Sequence, residues 1–308
     1  MVCIEMGDIG KKIERLKKER NAVILVHNYQ RPEIQDIADF LGDSLGLSIQ
    51  ASKTDADVIV FCGVRFMAET AKVLSPEKTV LMPDRDAGCP MADMITAGEL
   101  LELKRKHPKA KVLCYVNTPA EVKAECDLCC TSANAVNVVK KALGNEDEII
   151  FVPDKYLTDY VWRKTGKRFI LWNGYCPTHV KIRPEDIKKQ RELHPDAVVV
   201  VHPECIPPVI DMADWVASTE GMVKFAKKTD AKEIIVGTEK GIIYRMKKEN
   251  PLKEFFPATE EAICPNMKLT TLDKVMWTLE EMKYEILLSD DIIKKARNSI
   301  QKMVEITA

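Results

Sequence analysis

Short, uninterrupted apolar runs recur along the chain and predict the strands of parallel sheets. The runs are rich in β-branched residues and do not alternate with polar ones, so both faces of each strand should be buried. The predicted strands are Ala22–Val26, Val58–Phe61, Thr79–Met82, Lys111–Cys114, Glu148–Val152, Phe169–Leu171, Ala197–Val201, Glu233–Val236 and Glu254–Phe256. Helical stretches between such strands predict right-handed crossovers and a three-layer α/β/α sandwich.

Segments with helical periodicity lie between and around these strands. The predicted helices that matter for the argument are Ile9–Arg20, Glu33–Leu41, Leu45–Lys53, Arg65–Val73, Ala133–Ala142, Gly221–Lys228, Leu272–Met282 and Asp290–Val304. Ser289 stands directly before the last helix and is a good N-cap, because its hydroxyl can accept a hydrogen bond from a free N–H of the first turn.

Three landmarks recur with a period of about 88 residues. A polar residue ends an apolar strand, a hydroxyl follows 17 residues later, and a Cys-Pro pair follows 44 or 45 residues after that. The three sets are His27, Ser44 and Cys89, then Tyr115, Ser132 and Cys176, then His202, Thr219 and Cys264. The period predicts an α/β protein of three pseudo-repeated α/β/α units around a pseudo-three-fold axis. The predicted units are residues 21–107, 108–194 and 195–282, flanked by terminal helices in 1–20 and 283–308.

Polar residues continue past the end of each first strand. Side chains two positions apart in a strand point the same way, so each unit should present an aligned pair there. The pairs are His27 with Tyr29, Tyr115 with Asn117, and His202 with Glu204. A structural hydrogen bond explains any one pair, but three chemically different pairs favour a shared pocket. Ligands of open parallel sheets bind beyond the carboxyl ends of the strands.

Ser44, Ser132 and Thr219 each precede a helical stretch and allow two interpretations. An N-cap role would explain all three hydroxyls. Helix starts also bind anions, because free N–H groups and the helix dipole attract phosphate or carboxylate. The two roles are compatible, and three such starts around one axis suit a small substrate with several negative charges.

Cys89, Cys176 and Cys264 occupy the same place in the three copies. Buried apolar thiols are a common fate of free cysteine, but the shared register favours metal binding, and Cys-Pro also ends ferredoxin-type cluster motifs. Spacings of 87 and 88 residues exclude a local zinc knuckle. Three thiolates would leave one coordination position open, which is typical of a catalytic metal centre.

A second cysteine motif, Cys126-Asp-Leu-Cys129-Cys130, contains a CxxC pair. Such a pair can be a redox dithiol or half of a zinc site. No second CxxC or nearby histidine pair completes four ligands, so we favour structural thiols. The remaining cysteines have no evident partners: Cys3, Cys62, Cys114 and Cys205.

Composition and charge narrow the function classes. The chain has 308 residues, 46% of them hydrophobic and 30% charged, as expected of a globular protein with a large core. A net charge of −1 argues against a nucleic-acid-binding protein. No apolar run approaches the roughly 20 residues that cross a bilayer, and the charged N-terminus lacks a signal-peptide core. We therefore expect no membrane association and a cytoplasmic location.

Several long segments together resemble the quinolinate synthase family, whose members make the pyridine ring of NAD. They are HNYQ, DIAD, GDSL, FCGVRFMAETAKVLSP, AGCPMAD, YVNT, CCTSANAV, WNGYCPTH, VHPEC and GTEKGIIYRM, in this order over nearly the whole chain. The resemblance implies a triplicated α/β/α fold with one [4Fe–4S] cluster on the pseudo-three-fold axis. It implies a transferase reaction with dehydrations, in which iminoaspartate and dihydroxyacetone phosphate give quinolinate, phosphate and water in de novo NAD biosynthesis.

Carried over by motif, the resemblance assigns roles to individual residues. Cys89, Cys176 and Cys264 would hold three irons and leave the fourth open. The implied catalytic residues are His27, Tyr29, Tyr115, His202 and Glu204. The implied substrate-binding residues are His27, Ser44, Tyr115, Asn117, Ser132, His202, Glu204 and Thr219. His179 is a weaker candidate, because the other copies carry Ala92 and Met267 at that place.

The resemblance also implies partners beyond the two substrates. An aspartate oxidase or dehydrogenase would supply the imine, and iron–sulfur assembly machinery would supply the cluster. Some family members carry a redox-active CxxC near the C-terminus, but this chain has no cysteine after Cys264, so that regulation is not implied here.

Two alternatives belong to other functional classes. One is a structural-metal or thiol-redox protein, in which Cys126 and Cys129 are the working dithiol and the in-register cysteines are buried. The other is a non-catalytic binder of small dicarboxylates that has the pocket but no metal. An anaerobic iron and sulfide count separates the first from an iron–sulfur enzyme, and a product assay separates the second.

Overall fold

The computed structural model describes residues 7–306, in which the strands form three four-stranded parallel sheets. Cys3 and the outer ends of the two terminal segments lie outside the described residues. The strands are β1 Ala22–His27, β2 Phe40–Gly42, β3 Val58–Cys62, β4 Thr79–Leu81, β5 Lys111–Tyr115, β6 Leu128–Cys130, β7 Ile149–Val152, β8 Ile170–Leu171, β9 Val198–Val201, β10 Trp215–Val216, β11 Glu233–Gly237 and β12 Glu254–Pro257. The sheet orders are β2-β1-β3-β4, β6-β5-β7-β8 and β10-β9-β11-β12. The same order in each sheet agrees with the predicted repetition.

Helices alternate with the strands, as the sequence predicts. They are α1 Asp8–Glu19, α2 Pro32–Asp36, α3 Ser44–Lys53, α4 Arg65–Leu74, α5 Ala97–Lys106, α6 Ala120–Ala124, α7 Ala135–Ala142, α8 Lys155–Thr165, α9 Pro184–Leu193, α10 Pro207–Ile210, α11 Thr219–Lys228, α12 Ile242–Glu249, α13 Leu272–Glu281 and α14 Asp290–Glu305. Ser289 caps α14 as predicted, since its hydroxyl accepts from the N–H of Ile292. Short 3-10 turns occur at Ala92–Met94, His179–Lys181 and Asn266–Lys268.

The first sheet is buried on both faces, which explains its uninterrupted apolar strands. Val23 and Leu25 pack into the large core that extends through all three sheets. Ile24 and Val26 point the other way, into a smaller core beneath α1 and α13. The α3 and α4 helices cover the large-core face. Helices therefore lie on both sides of the sheet, as the continuous runs indicate.

The predicted helix Glu33–Leu41 is wrong, and a fourth strand was missed in each unit. Helix α2 ends at Asp36, and the chain then enters the short edge strand β2. An aspartate before each such strand accepts a hydrogen bond from the backbone N–H of the neighbouring first strand, at 2.7 to 2.8 Å. The acceptors are Asp39, Asp127 and Asp214. Strands of two or three residues carry too little periodicity to be recognised, but the repeated aspartate is visible in the sequence.

The helix-start hydroxyls are not the N-caps in the first and third units. Asp43 caps α3 by accepting from the N–H of Gly46, and Ser218 caps α11 by accepting from the N–H of Gly221. Ser44 and Thr219 are therefore the first helical residues, one position later. In the second unit α7 begins at Ala135, three residues beyond Ser132. The N-cap interpretation is therefore wrong for all three hydroxyls, because other residues are the N-caps of these helices.

The closing helix α14 packs against the second unit. The hydroxyl of Ser299 donates to the carbonyl of Lys123, and the side chain of Asn134 donates to the carbonyls of Met303 and Ile306. Among the described residues, no helix combines the length and apolarity that crossing a membrane requires.

Candidate functional site

Each Cys-Pro loop is anchored to an interior strand of its sheet in the same way. A backbone N–H three residues beyond β3, β7 or β11 donates to a carbonyl two residues before the cysteine, at 2.9 to 3.0 Å. The bonds run from Arg65 to Ala87, from Lys155 to Gly174 and from Lys240 to Ala262. Because the anchor is identical in the three units, it brings each cysteine to the carboxyl end of its own sheet.

One cavity at the carboxyl ends of the sheets is lined by every residue that the sequence selected. These residues are His27, Tyr29, Ser44, Cys89, Tyr115, Asn117, Ser132, Cys176, His202, Glu204, Thr219 and Cys264. They come from all three units, so residues up to 237 positions apart meet in one place. The weaker candidate His179 also lines the cavity. The three in-register cysteines, which lie far apart in the sequence, thus line the same cavity.

The three in-register thiols differ from the other cysteines in their surroundings. Among the described cysteines these three are partly exposed, whereas the other six are buried. Burial raises the pKa of the Cys89 thiol to about 12, against a lowering by the backbone N–H groups of Ala92 and Met91. The N–H of His179 acts similarly on Cys176, and those of Met267 and Asn266 on Cys264. Each thiol therefore faces N–H donors of its own 3-10 turn.

This donor set fits a metal centre. Three converging thiols would repel one another as anions in a desolvated site. Cys264 raises the pKa of the Cys89 thiol, and Cys89 raises the pKa of the Cys176 thiol. A cationic cluster would remove that penalty, and backbone N–H groups directed at sulfur are typical tuning contacts of iron–sulfur sites. A different set, Cys176 with His179 and Glu204, has its ligand atoms within 4.8 Å of one another and can hold a single metal ion.

Glu204 is a buried carboxylate among the polar residues that line the cavity. Its carboxylate is 3% exposed, accepts a hydrogen bond from the phenol of Tyr115 and lies 2.8 Å from Nδ1 of His179. The contact with His179 is close but not aligned as a hydrogen bond. Burial alone would raise the pKa of Glu204, but His179, His202 and the Tyr115 bond hold it below its ordinary value. Glu204 is therefore ionised.

The two tyrosines are proton-bearing groups in this cavity. Burial and the charge of Glu204 raise the pKa values of Tyr29 and Tyr115 well above the ordinary value. The phenol of Tyr29 lies 2.5 Å from the hydroxyl of Thr238 and 3.5 Å from Nε2 of His179. Both phenols stay protonated at neutral pH and can donate protons.

His27 and His202 are neutral at neutral pH. Burial lowers the pKa of His27 to about 3, with a further lowering by Lys268. Burial likewise lowers the pKa of His202 to about 3. Nε2 of His202 lies 3.1 Å from the hydroxyl of Ser132. Neutral imidazoles can accept or donate one proton in a hydrogen bond without adding charge to the site.

Two further predicted residues, Thr219 and Asn117, differ in their contacts. The hydroxyl of Thr219 accepts a hydrogen bond from the side chain of Asn28, at 3.0 Å. The amide oxygen of Asn117 is buried and has no hydrogen-bond partner within the described structure. A buried acceptor of this kind carries an energetic penalty that a ligand donor would remove.

A second, wider cleft adjoins the cavity, and both are lined by Asp43 and Ser132. Lys164, Lys224 and Lys228 line this cleft. Its two acidic residues are Asp43 and Glu220, and Glu220 is paired with Arg245 at 2.8 Å. The cleft is therefore positively charged although the whole chain carries −1.

The CxxC segment does not reach the cavity. Cys126 is 8% exposed and Cys129 is fully buried, and their thiols donate to the carbonyl of Val122 and to the hydroxyl of Ser299. Burial raises the pKa values of both thiols, and this disfavours the thiolate that a working dithiol needs. The surroundings support the structural interpretation.

Sequence reasoning missed several contributors to the site. Thr238 and Glu239 follow β11 inside the segment GTEK, which the resemblance included without giving either residue a role. Glu239 is fully buried, accepts from the N–H of Cys264 at 3.3 Å and lies 2.9 Å from the ammonium group of Lys268. The apolar lining, which includes Phe66 and Met267, gave no periodic signal because it lies in loops and helix starts.

Comparison with known proteins agrees with the resemblance. A family model described as quinolinate synthetase A protein matches residues 11–305. A protein from Thermodesulfovibrio yellowstonii, named quinolinate synthase, is 56% identical over 295 residues, covering 96% of this chain and 97% of its own. One of the same name from Dehalococcoides mccartyi strain CBDB1 is 55% identical, covering 97% and 98%. Quinolinate synthase 1 of Methanosarcina acetivorans is 50% identical, covering 98% and 99%.

Proposed function

This chain belongs to the quinolinate synthetase A family, and on that premise we propose that it is a quinolinate synthase. It condenses iminoaspartate with dihydroxyacetone phosphate to quinolinate, phosphate and two molecules of water, in de novo NAD biosynthesis. The observation that carries the proposal is the convergence of all twelve selected residues on one cavity. The three units would surround a common axis with the cavity on it.

Cys89, Cys176 and Cys264 would hold a [4Fe–4S] cluster. Their partial exposure towards the cavity and the N–H donors at each sulfur support this set. When bound, such a cluster supplies a Lewis acid at the one iron that has no protein ligand. The chain would receive the cluster from iron–sulfur assembly machinery.

The negative groups of the substrates would be bound at the helix starts. Ser44 and Thr219 are the first residues of ten-residue helices and are free of the capping role. Their hydroxyls, with Ser132, can donate to phosphate or carboxylate oxygens beside free N–H groups of the first turns. Asn117 has an unused buried acceptor that suits the hydroxyl of dihydroxyacetone phosphate.

The acid and base roles would fall to Glu204 and the two tyrosines. Ring formation requires removal of a proton from carbon and delivery of protons to departing oxygens. Glu204 is ionised and can accept a proton, whereas Tyr29 and Tyr115 are protonated and can donate one. Neutral His27 and His202 can hold substrate oxygens by hydrogen bonds. The enclosed position of these groups limits the access of water to the imine.

The substrates would enter through the basic cleft. Its lysines would attract two multiply negative molecules, and the shared residues Asp43 and Ser132 mark where it meets the cavity. An aspartate oxidase or dehydrogenase would supply the iminoaspartate.

A single metal ion on Cys176, His179 and Glu204 is the second candidate for the metal centre. Anaerobic purification followed by iron and sulfide analysis distinguishes the two. About four irons with four sulfides per chain support the cluster, whereas one metal ion without sulfide supports the mononuclear site.

The matched variants are Cys89→Ala and Cys62→Ala. Cys89 lines the cavity and should be needed for the visible iron–sulfur absorbance, whereas Cys62 is buried in the core of the first unit and should not be. Incubation with the two substrates and detection of quinolinate test the activity. Retention of full iron and sulfide by Cys89→Ala would contradict the ligand set. Substrate binding without any product would instead favour a non-catalytic binder.

A further inference from the structure

The loop that carries Cys89 receives a side-chain hydrogen bond from the third unit. The side-chain amide of Asn266 donates to the backbone carbonyl of Gly88, at 2.7 Å. Gly88 directly precedes Cys89, and Asn266 follows Cys264 by two residues. The bonded residues are 178 positions apart in the chain, so this contact joins the loops of two in-register cysteines from different units.

The Cys89 loop is held towards its own unit and towards the third unit by neighbouring carbonyls. The carbonyl of Ala87 accepts from the N–H of Arg65 and fixes the loop to the first sheet. The next carbonyl, that of Gly88, accepts from Asn266, and no other donor among the described residues reaches it. Without the amide of Asn266, this carbonyl would lose its partner in the third unit.

The far end of the same loop is bonded to the second unit. The indole N–H of Trp172, four residues before Cys176, donates to the carbonyl of Met94 at 2.8 Å. Both contacts run from a side-chain N–H of another unit to a backbone carbonyl of the Cys89 loop. This loop therefore lies between the loops of Cys176 and Cys264 and is bonded to each of the other two units.

The side-chain amide stands at this position in the third unit alone. The residues two positions after the in-register cysteines are Met91, Thr178 and Asn266. The backbone N–H of Met91 faces the thiol of Cys89, and that of Asn266 faces the thiol of Cys264. The backbone contact is thus repeated between units, whereas the donor that reaches across to another unit is not.

We infer that Asn266 is a positioning residue, which holds the Cys89 and Cys264 loops together so that both thiols can bind one cluster. The inference rests on the proposed function, in which these thiols hold a [4Fe–4S] cluster. Groups that orient metal ligands without binding the metal typically contribute about 10- to 100-fold to metal affinity. Asn266 does not line the cavity, so its side chain acts on iron retention and not on the reactants.

Two matched variants test the inference. Asn266→Leu replaces the amide by an apolar group of similar shape. Asn250→Leu is the control, since Asn250 ends α12 and its half-buried amide donates to the carbonyl of Met246 at 2.9 Å, away from the cavity. We expect Asn266→Leu to lose iron to the chelator bathophenanthroline about tenfold faster than the parent, and Asn250→Leu to stay within about twofold. Turnover per bound cluster should stay within about threefold in both variants.

A parental rate of iron loss in Asn266→Leu would overturn the inference. Equal acceleration in Asn250→Leu would assign the effect to general destabilisation and also overturn it. A large loss of turnover at full cluster occupancy would place Asn266 in the reaction instead of in ligand positioning.

The position of the loop is measured independently of iron and activity. Hydrogen exchange on the proteins as purified should be several-fold faster in Asn266→Leu at the N–H groups of Gly88 and Asp93, which are hydrogen-bonded within the Cys89 loop. Asn250→Leu should exchange there like the parent. Unchanged exchange in Asn266→Leu would show that the amide does not hold the loop. If the parent binds no iron and sulfide, the proposed function fails, and hydrogen exchange still decides whether Asn266 fixes the loop.

Discussion

The most informative single change is Glu204→Gln, because it removes one charge from the centre of the site at nearly constant shape. The carboxylate accepts from the phenol of Tyr115 and lies 2.8 Å from the imidazole of His179. Glutamine keeps one oxygen acceptor, but its amide nitrogen must face either the phenol or the imidazole. The variant therefore loses both the ionised acceptor and one favourable contact.

The expected size of the effect follows from the proposed role. Positioned acid or base groups contribute about 10²- to 10⁴-fold in rate, which corresponds to about 3–5 kcal/mol of transition-state stabilisation. Folding stability should change far less, because losing the charge interactions is offset by no longer burying an ionised carboxylate. Metal content should stay unchanged if the three cysteines are the ligands.

The assay is single-turnover quinolinate formation with the anaerobically purified protein, with iron and sulfide counted on the same sample. Glu69→Gln is the matched control, since Glu69 is 3% exposed and binds Arg65 and the N–H of Ala120 but does not line the cavity. The control should lower stability and keep kcat. Full turnover by Glu204→Gln with its iron retained would refute the acid–base role. Loss of the iron would instead place Glu204 among the metal ligands, as the Cys176, His179 and Glu204 group allows.

Three further predictions concern stability and substrate entry. Asp154 is fully buried with one carboxylate oxygen unpaired in the described structure, and burial, then the charge of Glu204, raises its pKa well above the ordinary value. Because the folded state binds this proton more tightly than the unfolded state does, Asp154 contributes most to folding stability below about pH 4, the pKa of an aspartate in the unfolded chain. This contribution declines as the pH rises towards the pKa in the folded state. Asp154→Asn should therefore be more stable than the parent by about 1–3 kcal/mol at pH 8, and the gain should vanish near pH 4; a pH-independent difference in urea unfolding would contradict this. Asp214→Ala removes the acceptor of the Val199 N–H, at 2.8 Å, and should cost about 1–3 kcal/mol in the same assay, whereas a neutral effect would show that the repeated aspartates do not hold the edge strands. Replacing Lys224 and Lys228 by Gln should lower kcat/KM several-fold at low salt, leave kcat unchanged and flatten the salt dependence, while the exposed Lys189→Gln, outside the cleft, should do neither.

The residues that we predict for the site stand out in the sequence because the chain repeats. Three copies share the offsets of 17 and of 44 or 45 residues, and this agreement identifies His27, Ser44 and Cys89 and their counterparts. The strands were found because burial on both faces requires continuous apolar runs. The edge strand β2 was not, because three residues cannot display a period.

The sequence alone determined nine of the twelve strands in the described residues, the three-unit repetition and the chemical types gathered at the strand ends, since these follow from local periodicity and residue identity. Only the tertiary structure decided which groups touch. The phenol of Tyr115 reaches Glu204, Ser132 reaches His202, and Thr238 reaches both Tyr29 and His179 across unit boundaries. Contacts between units depend on how three sheets pack together, and no spacing within one unit records that packing.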